Sequence, residues 1–211
     1  MTAIARSLRA GAVALVACFT LTMAATAQTA PSAKEFVQKV GNEAIHNLTD
    51  KSMSDSERVK QMRTFLRDNF DEPAVSKFVL GTYWNRATEA QRAEFEKLYE
   101  IVVAHNYAGL FKKYSGQTFQ VLGQRTDGDA TIVNAQIDQT NGAPPIPVEL
   151  QVQKDGSVWR AVDIKVDGVS MPQTHRKEYS SVINRSRNGV EGLLQAMRSK
   201  AKQLEAENPS E

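Results

Sequence analysis

Ile146-Pro147-Val148-Glu149-Leu150-Gln151-Val152-Gln153 alternates apolar and polar residues without a break. Successive side chains of an extended chain point to opposite faces, so this stretch reads as a strand with one face buried and one in water. The same period-two signal continues on both sides. Upstream, Thr118 to Gly123 and Ala130 to Asp138 read as two strands joined by a hairpin turn at Asp127-Gly128-Asp129. Asn141-Gly142-Ala143-Pro144-Pro145 turns the chain into Ile146, and Lys154-Asp155-Gly156 turns it out again. Downstream, Val158, Val162, Ile164 and Val166 form a fourth strand, with Trp159 expected on the opposite face. Four strands joined by short turns make an antiparallel meander, and its apolar face needs a covering layer.

Helices supply that layer. Phe36, Val40, Ala44 and Leu48 recur every fourth residue after Pro31 and Ser32. Ser54-Asp55-Ser56-Glu57 has the form of a capping box ahead of Val59, Met62, Phe65, Leu66 and Phe70. Pro73 opens a further helix that runs through Ala74 to Leu80 and stops at Gly81. Thr88-Glu89-Ala90-Gln91 is a second capping box, opening the longest helix, to about Tyr114. Its wide apolar stripe includes Phe95, Leu98, Tyr99, Val102, Val103, Tyr107, Leu110 and Phe111. Two helices follow the sheet, Pro172 to Ser186 and Val190 to Glu205. The expected fold is α+β, with helices packed on one face of a curved, four-stranded antiparallel sheet.

The N-terminus carries a different signal. Met1 to Ala10 holds Arg6 and Arg9 and no acid, Gly11 to Met23 is uncharged and apolar, and Ala25-Thr26-Ala27 precedes Gln28. This is the layout of a secretory signal peptide, residues 1–27, with cleavage expected after Ala27 and a single exported domain over residues 28–211. Leu15-Val16-Ala17-Cys18 has the form of a lipobox, but the apolar run continues through Phe19, Leu21 and Met23, so a cut there would fall in mid-run. The run is also short for a membrane span.

Cleavage would lower Lys+Arg from 26 to 24, equal to the 24 Asp+Glu, and would remove the only cysteine. A neutral chain with scattered charge has no electrostatic footprint for nucleic acid. Without cysteine it has no disulfide, thiol nucleophile or thiolate metal site. His46, His105 and His175 fall in three separate helices without ligand spacing. Gly168-Val169-Ser170-Met171-Pro172 begins like a nucleophile elbow but lacks the closing glycine and follows an antiparallel strand, so Ser170 reads as a helix N-cap. No catalytic residue, metal or cofactor is expected. The dense apolar stretches Phe78 to Trp84 and Tyr99 to Tyr114 fit either a filled core or a core with room for a ligand.

At those stretches the sequence resembles a known family. Phe78-Val79-Leu80-Gly81-Thr82-Tyr83-Trp84, then Ala87-Thr88 with Gln91-Arg92 and Phe95, is similar to the MlaC or toluene-tolerance family of periplasmic phospholipid-binding proteins. Further blocks agree in order: Tyr107-Ala108, Tyr114-Ser115-Gly116-Gln117-Thr118-Phe119, Asn141-Gly142 with Pro144-Pro145, and Trp159-Arg160-Ala161-Val162-Asp163-Ile164 leading into Gly168-Val169-Ser170-Met171. Asn85 stands where the family often has a basic residue.

The resemblance implies a monomeric carrier in the periplasm, with a nuclear-transport-factor or cystatin-like sheet and a lipid cleft between sheet and helices. It implies three partners: a diacyl phospholipid, an inner-membrane ABC transporter with a lipid-binding hexameric ring, and an outer-membrane lipoprotein–porin complex. Together these would maintain outer-membrane lipid asymmetry. The lipid-binding residues it points to are Val79, Leu80, Tyr83, Tyr99, Val103, Tyr107, Phe111, Val133, Ile137, Ile146, Val148, Leu150 and Val169. A hopanoid-associated sister group shares much of the pattern. An exported lipid-acting enzyme using His105 or His175 as base, and a module with a filled core, are the other open readings.

Overall fold

A computed structural model describes residues 31–207, so the expected signal peptide and its cleavage site lie outside the described residues. The chain runs through four helices, α1 (Ala33–Leu48), α2 (Asp55–Asn69), α3 (Glu72–Leu80) and α4 (Glu89–Ala108). An antiparallel sheet follows, of β1 (Thr118–Asp127), β2 (Ala130–Asp138), β3 (Ile146–Asp155), β4 (Val158–Val166) and β5 (Val169–Ser170). The helices α5 (Met171–Arg185) and α6 (Val190–Glu207) complete it. Each strand pairs with its sequence neighbour, so the sheet is a meander. The fold is α+β, as expected, with one short strand more: Asp167 and Gly168, both at positive φ, turn the chain so that Val169 and Ser170 pair back onto β4.

The caps behave largely as their sequences require. Thr88 and Gln91 form the reciprocal box at the start of α4. Ser54 caps α2 through the Glu57 amide, but the Glu57 carboxylate accepts from Gln61 instead of reaching back. The helix expected to reach Tyr114 ends at Ala108 and tightens into a 3₁₀ turn over Gly109–Lys113. Glycine lowers helical propensity at that junction, and a tighter final turn follows.

Two irregularities curve the sheet. In β1, Val121 pairs with Ala135 and Gly123 with Asn134, leaving Leu122 as the extra residue and 55% exposed. In β4, Ile164 opposes Leu150 while Ala161 opposes Val152, so an extra residue shifts the alternation. Trp159 and Ala161 therefore share the buried face with Ile164, and Val158 is exposed. This reverses the expected placement of Trp159 and Val158, because an uninterrupted period-two reading cannot see a bulge. The Trp159 indole N–H donates to the Pro31 carbonyl at 2.7 Å.

Three clusters form the interior. α1 packs on the sheet through Phe36, Val37 and Val40 against Val133, Val148, Leu150 and Val152. α3 to α6 pack together around Phe95, Leu193 and Leu194. Leu48, Val59, Met62 and Ala104 join α1, α2 and α4. The Asp71 amide donates to the Ala161 carbonyl at 2.9 Å, which ties the α2–α3 junction to β4 and sets these helices over the end of the sheet.

Candidate functional site

The three clusters do not fill the space between helices and sheet. Two adjoining apolar hollows remain, of about 420 Å³ and about 220 Å³, and Phe65, Phe70, Leu110, Phe111 and Ile164 line both. Side chains at this meeting point come from α2, the α2–α3 junction, the 3₁₀ turn after α4, and β4.

Sheet and α1 enclose the larger lobe. Its floor is Ile146, Val148 and Leu150 of β3 with Ile137, Phe119 and Ile164, and its roof is Val40, Gly41 and Ala44. Gly41 makes this geometry possible: a Cβ there would lie 2.1 Å from the Phe119 ring. Lys113, Tyr114, Gln117, Thr118 and Gln139 are its polar contributors. The smaller lobe lies wholly among helices apart from Ile164. Met62, Leu66, Val75, Tyr99, Val103, Tyr107, Met171 and Pro172 line it, with Glu72, Glu96 and Glu100.

One polar relay is set into the small lobe. The Tyr99 hydroxyl lies 2.8 Å from His175 Nδ1, and the Tyr107 hydroxyl lies 3.2 Å from Nε2 and 3.1 Å from Met171 Sδ. A neutral imidazole protonated on Nε2 satisfies every member: Tyr99 donates to Nδ1, Nε2–H donates to Tyr107, and Tyr107 donates to sulfur. Burial lowers the His175 pKa and raises those of both tyrosines. The relay is therefore uncharged near neutrality.

Charge gathers at the lobe's edge instead. Desolvation, aided by the neighbouring Glu100 carboxylate, pushes Glu72 up to about 7. Glu100 itself accepts from Arg63 Nε at 2.9 Å. On β4, burial raises Asp163, which accepts from the Ser170 hydroxyl at 2.9 Å. Ser170 also accepts from the Gln173 amide, so it is the N-cap of α5 that its sequence context implied. Among the described residues no cluster of histidine, cysteine or carboxylate side chains has the form of a metal site.

Of the sequence-derived residues, Tyr99, Val103 and Tyr107 line the small lobe, Ile137, Ile146, Val148 and Leu150 the large one, and Phe111 both. The others sit elsewhere. Val79 and Leu80 are fully buried between α3 and the other helices, and Val133 is fully buried beneath α1. Tyr83 borders a separate surface groove, its hydroxyl donating to Asn184 at 2.6 Å, and Val169 is half exposed on β5. Sequence reading missed Phe65 and Phe70 as lining residues, although both lie on the apolar face assigned to α2. It also missed Gly41, whose signal is a glycine inside an otherwise apolar helix face, where it costs roughly 1 kcal/mol relative to alanine.

A curved antiparallel sheet roofed by helices over an internal apolar cavity defines the class of this domain. The chain belongs to the MlaC family: the family model described as MlaC protein matches residues 38–199. It is 25% identical over 198 residues to the intermembrane phospholipid transport system binding protein MlaC of Haemophilus influenzae, covering 90% of each chain. It is 22% identical over 144 residues to the toluene tolerance protein ttg2D of Pseudomonas putida, covering 66% of each. Its fold matches the solved structure of a phospholipid-binding protein from Ralstonia solanacearum in complex with a phospholipid. That match has a TM-score of 0.74 at 20% identity and covers 82% of this chain and 99% of the other. No helix among the described residues is long and apolar enough to cross a membrane.

Proposed function

We propose that this protein is a periplasmic carrier that holds a diacyl phospholipid with its acyl chains in the two lobes and its head group towards solvent. The observation that carries the reading is the adjoining pair of apolar hollows between sheet and helices, whose five common lining residues set the two lobes side by side, as the two acyl chains of one ligand require. A diacyl lipid exposes about 30 methylenes, and at ~0.8 kcal/mol each its free passage through water costs on the order of 20 kcal/mol. A carrier must replace that burial and then release it. A cavity with a largely apolar lining meets the first need, and the low-polarity junction at Leu110 and Phe111, on a 3₁₀ turn, offers a place to open for the second.

The name of the Haemophilus influenzae relative, an intermembrane phospholipid transport system binding protein, supports phospholipid binding and transport. To this we add, as part of the proposal, lipid delivery between an inner-membrane ABC transporter and an outer-membrane lipoprotein–porin complex in maintaining outer-membrane asymmetry. Both nitrogens of His175 are engaged by tyrosine hydroxyls, which favours carriage over a lipid-cleaving role for this imidazole. Incubation with radiolabelled phospholipid between donor and acceptor vesicles tests the proposal. Transfer of chemically unchanged lipid is expected, and a new lipid product would favour catalysis instead.

A further inference from the structure

Three arginines lie on three aromatic rings on the α3–α5 side of the molecule, away from the cavity. The guanidinium of Arg176 sits 5.0 Å from the ring centre of Phe78, that of Arg86 5.8 Å from Tyr83, and that of Arg92 5.4 Å from Trp84. Arg92 Nε also donates to the Trp84 carbonyl at 2.8 Å. Gly81 leaves the space for one of these stacks: at φ +60° a Cβ there would lie 2.9 Å from Arg176 Nε. Among the described residues, none of the three guanidiniums has a carboxylate within ion-pair distance. Beside them runs a polar groove of about 460 Å³, lined by Tyr83, Arg86, Gln91, Asn184 and Asn188 among others.

We propose that this face docks a carboxylate-rich segment of a partner protein. A guanidinium held over a ring has lost some of its conformational freedom, and its N–H groups, apart from the Arg92 Nε already bonded to Trp84, remain for hydrogen bonds to carboxylates. Three such groups without an internal counter-charge form a cationic surface that complements an acidic chain. The groove's amide side chains add donors and acceptors for a polypeptide backbone. A membrane surface is the competing occupant, since Phe78 is 40% exposed beside Arg176, and the amide side chains of the groove favour a polypeptide over it. The inference goes beyond the carrier reading and does not depend on it, since this groove shares no lining residue with either lobe. A partner seated here would leave the lipid cavity open.

The test is an NMR titration of isotope-labelled protein with poly-L-glutamate, in parallel with vesicles of phosphatidylglycerol. Polyglutamate is expected to shift the backbone amides of residues 81–92 and 176–190. The Arg86→Gln, Arg176→Gln double variant should weaken its binding about tenfold or more, consistent with the loss of charge-assisted hydrogen bonds. Arg86→Gln alone, at an exposed position, should weaken it several-fold without change in Tm, so that a folding defect in the double variant does not decide the matter. Lipid content should be unchanged in both. Shifts spread evenly over all basic surfaces, wild-type affinity in Arg86→Gln, or shifts of these residues by phosphatidylglycerol vesicles and not by polyglutamate would overturn the proposal.

Discussion

The Tyr99 hydroxyl and His175 Nδ1 lie 2.8 Å apart and join α4 to α5 through the wall of the small lobe. Tyr99 is buried, so its hydroxyl has no ready substitute acceptor. Replacing His175 with Phe keeps a ring of similar volume but leaves that hydroxyl unpaired, which should destabilise the fold by about 1–3 kcal/mol. Urea denaturation measures this. The native pKa of His175 lies below its ordinary 6.5, as does that of His105, chiefly through burial. The unfolded chain therefore binds more protons below pH 6.5, and stability present above that point is lost as pH falls through the native values. His175→Phe should make this acid limb shallower. An unchanged limb would show that His175 does not titrate on unfolding.

Glu72 has the opposite sign. Its native pKa is raised from 4.5 to about 7, so between these values the folded protein binds more protons than the unfolded chain. Its contribution is complete below about 4.5 and is lost as pH rises through 7. Glu72→Gln mimics the protonated form. Thermal melts should show little change at pH 4.5 and a higher Tm above pH 7. Equal effects at both ends would mean that Glu72 ionises freely in the native state.

Ile146 and Val133 point into the same side of the sheet but meet different surroundings. Ile146 lines the large lobe and is partly exposed, while Val133 is fully buried beneath α1. Ile146→Glu should leave a folded protein with sharply reduced lipid occupancy, because the carboxylate reaches water but spoils the apolar floor. Val133→Glu should abolish folding, since that charge has nowhere to go. Circular dichroism combined with lipid extraction separates the two outcomes. Loss of folding in Ile146→Glu would place that residue in ordinary core.

Gly41→Ala tests how the large lobe is shaped. The added methyl requires the Phe119 ring to move, and overpacking of this kind costs about 1–3 kcal/mol. Since both residues line the lobe, the displaced ring should also reduce lipid uptake. Full stability together with full uptake would show that the ring has free space nearby.

The fold was largely legible because its signals are local. Ile146 to Gln153 alternates cleanly, Asp127-Gly128-Asp129 marks a hairpin, and Thr88 to Gln91 caps α4 with both halves of its box. Where a signal depended on phase across a bulge it failed: Trp159 points inward and Val158 outward because β4 carries an extra residue opposite β3. The cavity was legible only in part. Apolar patterning selects Val79, Leu80 and Val133 as readily as Val103 and Ile146, since both groups lie on apolar faces. Whether a face meets another side chain or an empty hollow depends on contacts between distant elements, such as Gly41 with Phe119. Resemblance to a family named the class of ligand, but it did not separate lining residues from core.

Native mass spectrometry of the purified protein, followed by lipid extraction, tests the central claim most directly. The carrier account predicts a bound species whose mass excess matches a diacyl phospholipid, with the extracted lipid chemically intact and rebound on reconstitution. Co-purified hopanoid would move the protein to the sister group. A protein that emerges empty and takes up no lipid when offered phospholipid vesicles would contradict the account.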